Sequence, residues 1–321
     1  MRNGLLTVTA LVAALAAAGL QAKGTINPDR GSVSVTTISG TPLIINVGAD
    51  QAFQVYNTEI SAGTLGQIYP QGATLADMGW FIDTGGALTA PAFGDHPSGT
   101  ATSSIGTFST YAYRSVSAVG GNGSAATPFS VTVTGETAQF DVSQVVSYVN
   151  GDNFFRKSFT LTNTTGGTVG ARVFLGSDIY LANSDDGTPY REPNSGSPGG
   201  RTCAGVTPEY TILHIPQGSV APSGFSADGY DSIWTQIGAA ALNNTVNPAA
   251  CTDNGAALQW DINVPAGASV TLQAATSFGA IPTIIGGSQN AVPAPAIGTW
   301  GLAALALALL ALAGVALTRR S

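Results

Sequence analysis

The sequence predicts an all-β protein: an antiparallel β-sandwich, built as one large sandwich or as two smaller parts. Three observations carry the prediction. Apolar residues alternate with Ser and Thr through successive runs, the period of a strand with one buried face. Gly, Pro and Asn turns separate these runs at intervals typical of sandwiches. No long stretch has the apolar spacing of an amphipathic helix, although Ser143 to Tyr148 has room for one short helical turn. No fixed-period repeat is visible, which argues against a propeller or solenoid.

Taken in order, Ser32 to Ile38 alternates and Pro42 to Val47 continues it after a turn at Gly40. Phe53 to Ile60 and Met78 to Ile82 are aromatic-rich strands, and Gly85 to Gly106 reads as loop. Phe129 to Thr134 alternates cleanly. Asn153 to Tyr180 reads as a long antiparallel hairpin. Phe155, Phe159 and Leu161 share one face of its first arm, Thr164-Thr165-Gly166-Gly167 turns, and Ala171, Val173 and Leu175 share one face of the return. Residues 183–230, with Pro189, Pro193 and Pro198, read as an elaborate loop holding one strand around His214. A second hairpin runs from Ala257 to Val264, through Pro265-Ala266-Gly267, to Val270, Leu272, Ala274 and Thr276.

Charge is sparse, at 9% of 321 residues, against about 25% in an average soluble domain. Three of the eleven basic residues (Arg2, Arg319, Arg320) lie at the ends. The remainder of the chain thus sets eight basic groups against eighteen acidic ones, a net −10. With Arg156-Lys157 as its one basic pair, this remainder has no footprint for nucleic acid. Plentiful β-branched and aromatic residues argue against disorder.

Candidate chemistry is limited. Cys203 and Cys251 read as one disulfide in an oxidising compartment. Of the two histidines, His96 falls in a loop and His214 in a strand. No Gly-x-Ser-x-Gly elbow accompanies either, and neither a Walker loop nor HExxH nor CxxC occurs. Asp178, Asn183, Asp185 and Asp186 cluster at the end of the first hairpin, with Gly187 for a sharp turn and Glu192 close behind. Hard oxygen ligands of this kind suit Ca²⁺, and the same residues suit a solvated turn. Two of these carboxylates would also serve a glycosidase pair. Trp80 and Trp260 read as core aromatics, whereas Trp234 is read either as core or as a glycan contact.

The two ends carry targeting patterns. Met1 to Ala22 reads as a secretory signal peptide cleaved after Ala22, with Arg2 before an Ala- and Leu-rich run. Residues 23–281 then form the β-sandwich body and 282–291, with Gly286-Gly287-Ser288, a flexible linker. From Trp300 to Leu317 the chain is uncharged, followed by Arg319-Arg320. As a helix these eighteen residues span about 27 Å, near the ~30 Å of a hydrocarbon core. The arginine pair marks the cytoplasmic end.

This tail, residues 292–321, resembles the IPTL-CTERM sorting signal, a relative of the PEP-CTERM signals of Gram-negative bacteria. Pro295, Trp300 and Gly301 match the pattern in place, and Ile297 stands for its Leu. Ala294, Ala296 and Thr299 depart from it. The resemblance implies export by the Sec machinery and a pause in the inner membrane through helix 300–317. Cleavage near Pro295 by an exosortase-like protease would follow. The product would rest at the cell surface or outside the cell, in association with an exopolysaccharide matrix. Two functions follow as expectations: a non-enzymatic, matrix- or glycan-associated surface protein, or a carbohydrate-active enzyme using acidic residues of the 178–192 loop.

Overall fold

The computed structural model describes residues 33–58, 66–68, 78–92, 104–181, 184–249 and 251–279. The expected signal peptide, linker and sorting tail, together with His96 and Asn183, lie outside the described residues.

The described residues are mostly β, with one short helix, as the alternation predicts. One layer runs through β1 (Val35–Ser39), β2 (Leu43–Gly48), β3 (Phe53–Asn57) and β4 (Gly66–Ile68) to β12 (Val169–Tyr180). β5 (Met78–Asp83) joins the same side of the layer at β12, with β6 (Leu88–Ala90) and β7 (Ser109–Thr110) beyond it. β17 (Thr252–Val264) also pairs with β12, and β16 (Gly224–Gly229) lies outside β17.

The second layer has the order β8 (Ala112–Val116), β9 (Phe129–Glu136), β10 (Phe140–Tyr148), β11 (Phe154–Asn163) and β18 (Ser269–Gly279). It continues through β15 (Thr211–Gln217), β14 (Pro198–Arg201) and β13 (Asp186–Arg191). Pairing between named strands is antiparallel except for β6 with β7. β13 also pairs with β17 through Asp186 and Gly187. The layers are therefore one continuous sheet that curls toward a barrel, in place of the two separate sheets of a plain sandwich.

Several local expectations change. The two predicted hairpins are arches. β11 pairs with β10 and β18, and β12 with β17, β4 and β5, so the turn at 164–167 carries the chain from one layer to the other. The turn at 265–267 does the same between β17 and β18. Asn163 ties the arches together: its side-chain amide donates to the carbonyls of Gly167 and Val264, and its backbone exchanges bonds with Ala268 and Gly267. Ser143 to Tyr148 belongs to β10. The predicted loop 183–230 holds β13 to β16, whose Pro and Gly residues hide them from a propensity reading.

Between the layers lies the main core. Trp80 stacks on Phe159 with ring centroids 4.7 Å apart and meets Trp260 at 5.6 Å. The Trp80 indole N–H donates to Gln144 Oε1 at 2.6 Å, which satisfies the one polar atom that burial would otherwise strand. A second core forms where α1 (Tyr230–Gly238) covers the outer face of β12 and β17, with Ile233, Trp234 and Ile237 against Phe81 and Phe174. Gly176 makes this docking close, because a Cβ there would lie 2.5 Å from Ile237 Cδ1. No helix among the described residues is long and apolar enough to cross a membrane.

Candidate functional site

Three carboxylates converge at the N-terminal end of α1. Asp178 is on β12, where its cross-strand partner on β17 is Gly255. Side chains alternate along a strand, so Asp253, two residues away on β17, shares its face. Asp186 is the Cα partner of Asp253, and the residue before it, Asp185, brings in the third carboxylate. One ligand oxygen from each of Asp178, Asp185 and Asp253 lies within 4.8 Å of the others. At about 2.4 Å per Ca²⁺–oxygen bond, that is the span two oxygens on a single ion can cover.

The charges interact. Partial burial, then the carboxylates of Asp185, Asp186 and Asp231, push Asp253 up to about 7. Burial and Asp186 raise Asp185. Burial raises the Tyr230 phenol, with Asp253, Asp178, Asp231 and Asp185 adding to it. Such mutual repulsion is relieved when a proton or a cation enters.

Neighbouring features hold this arrangement. Gly187 lies inside β13 rather than at a sharp turn; a Cβ there would meet Asn254 Oδ1 at 2.4 Å and Leu181 Cδ1 at 2.8 Å. Cys203 and Cys251 form the expected disulfide, with Cα atoms 5.2 Å apart. It fixes the chain two residues before Asp253.

The predicted ligand set is corrected in part. Asp178 and Asp185 belong to the cluster, Asp186 borders it, and Asp253 joins from across the sheet. Glu192 does not take part. Its carboxylate accepts from the backbone N–H and hydroxyl of Ser195 and from the backbone and side-chain N–H groups of Asn194. These bonds, that of the Ser195 N–H foremost, hold it at about 2 as the clamp of its own turn.

Trp234 is 1% exposed and packs on Phe81 at 5.5 Å, so its ring offers no face to a sugar. His214 does find a serine: its Nε2 lies 2.6 Å from Ser177 Oγ, and its Nδ1 lies 3.1 Å from Thr276 Oγ1, which also bonds Lys157 Nζ. All four residues are buried, so the pair lies in the packed interior.

No family model matches the chain, and no curated protein matches it. Among solved structures, a kojibiose phosphorylase from the human microbiome is similar at a TM-score of 0.41 and 8% identity, over 75% of this chain and 29% of that one. A bacterial glucoamylase, solved with acarbose, gives a TM-score of 0.39 at 9% identity, over 80% and 35%. An aldose 1-epimerase from Escherichia coli K12 gives 0.34 at 10%, over 77% and 99%. The chain thus spans about a third of the first two proteins, and scores this low carry no shared function.

Proposed function

We propose that this chain is an exported surface β-protein that binds rather than turns over its ligands. It would hold a hard divalent cation, Ca²⁺ by preference, between Asp178, Asp185 and Asp253. The convergence of those three carboxylates is the observation that carries the reading. Export by the Sec route, membrane pausing through 300–317, processing by an exosortase-like protease and residence in a polysaccharide matrix all rest on the two ends of the sequence. A mass lacking both ends, measured on protein from the cell surface or medium, supports this route. A full-length tail in the inner membrane sinks it.

The cation reading has a pH signature. Asp253 is raised in the folded state, so between pH 4 and pH 7 the folded chain binds more protons than the unfolded one. This term therefore makes stability fall as pH rises through that window. Asp253→Asn is expected to reduce the fall, leaving the part that the raised Asp185 contributes. Without added metal at pH 7.5 this variant should melt a few degrees above wild type. Calcium at 5 mM should raise the wild-type Tm and leave Asp253→Asn unmoved; equal shifts in both proteins would refute the assignment.

One observation favours the enzyme reading as a second: a carboxyl held near neutrality beside other carboxylates is the arrangement of an acid/base pair. Under that reading Asp253→Asn and Asp185→Asn would each cost at least about 100-fold in turnover on a glycan panel. The binding reading predicts that wild type shows no turnover.

A further inference from the structure

We infer that a cleft on the outer face of the second layer, built around Tyr113, is a contact site for a neutral hexose unit of a glycan. This names the ligand class of the matrix-association reading above and rests on that reading. It is independent of the cation site, which lies on other strands.

Tyr113 is 66% exposed and is the one exposed aromatic side chain among the described residues. Its backbone is left-handed, at φ 47°, a conformation that a bulky residue rarely adopts. The cause is a bulge in β8: Ala112 faces Glu136 on β9, yet Ser115 faces Thr134, so Tyr113 and Arg114 together stand opposite Gly135. Bulges re-aim side chains. Here the bulge brings the phenol ring to the wall of a cleft of about 280 Å³, lined also by Glu136, Asp141, Ser143, Thr134 and Thr162. That volume is at the small end for ligand sites, suited to a single sugar ring.

The lining chemistry suits a sugar. An aromatic face takes the C–H side of a pyranose, while carboxylates and hydroxyls take its OH groups. Two of the hydroxyls are oriented beforehand: Thr134 Oγ1 lies 2.7 Å from Ser115 Oγ, and Thr162 Oγ1 lies 2.8 Å from Ser269 Oγ. Glu136 and Asp141 are Cα partners across β9 and β10. The net −10 of the chain between its two ends repels anions, so uronate and phosphate sugars are disfavoured and a neutral hexose fits.

The test uses the full chain purified in detergent, with neutral hexose oligosaccharides of four to six units and uronate oligosaccharides of matching length. Binding to the neutral series is expected. Tyr113→Asn, whose side chain tolerates left-handed backbone, should lose about tenfold or more in affinity with Tm held or raised. Tyr113→Trp should stay within about threefold. Neutral-glycan binding that Tyr113→Asn leaves intact, or a preference for uronates, overturns this site alone. Failure of wild type to bind any glycan overturns the matrix reading with it.

Discussion

Replacing both cysteines with serine is expected to lower the unfolding free energy by about 2–4 kcal/mol. The disulfide closes a loop of 48 residues, for which the chain-entropy estimate is about 4 kcal/mol. For a domain of this size the loss corresponds to roughly 5–15 °C in Tm. The same change should weaken the cation site, because Cys251 anchors the start of β17, where Asp253 sits opposite Asp186. Urea unfolding of wild type with and without reductant, beside the double variant, measures the first effect. A calcium melt of the double variant measures the second. An unchanged midpoint on reduction would mean that the bridge constrains nothing.

Lys157→Met is expected to act in the opposite direction, raising stability by about 1–4 kcal/mol at pH 7.5. Lys157 is 1% exposed, rests over the ring of Phe155 at 4.3 Å, and bonds Thr276 Oγ1. Burial holds its amine well below the usual lysine range. Burial, with Lys157 adding to it, also lowers His214. A lysine lowered on folding binds fewer protons folded than unfolded, so its term favours the folded state above pH 10.5 and is lost as pH falls toward the depressed value. Wild-type stability should therefore climb between pH 7.5 and pH 9.5, by at most about 1.4 kcal/mol per unit for one proton. Lys157→Met should flatten that climb. A variant that is less stable with an unchanged slope would show that the amine is charged and stabilising in the fold.

The burial of Lys157 is legible in the sequence. Alternation in Phe155, Phe159 and Leu161 already places Lys157 on the buried face, since it shares their parity. That its amine is held below the usual lysine range follows only from burial among Phe53, Phe155 and Thr276. The same alternation could not distinguish a hairpin from an arch. Both bury one face of each arm, and they differ only in which distant strand pairs with it. β12 therefore finds β17 and β11 finds β18, pairings set by contacts about 75 to 120 residues away.

The acidic site was half legible. Asp178, Asp185 and Asp186 stand close together in sequence, so a cluster could be expected from them. Asp253 carries no local signal: Asp253-Asn254-Gly255 has turn composition, yet it lies within β17. Helix α1 carries little local signal for a similar reason. It has nine residues, and its buried positions Ile233, Trp234 and Ile237 include β-branched residues of modest helix propensity. Only Gly176 beneath it, visible once folded, shows where a helix can lie. The Tyr113 cleft depends on a register shift that no spacing rule announces.

The most direct measurement is the number of calcium ions bound per chain, by equilibrium dialysis of the metal-stripped full chain against micromolar to millimolar Ca²⁺. The account predicts one ion per wild-type chain and none for the Asp185→Asn/Asp253→Asn double variant, which should remain folded. No ion on wild type, or one ion on both proteins, would contradict it.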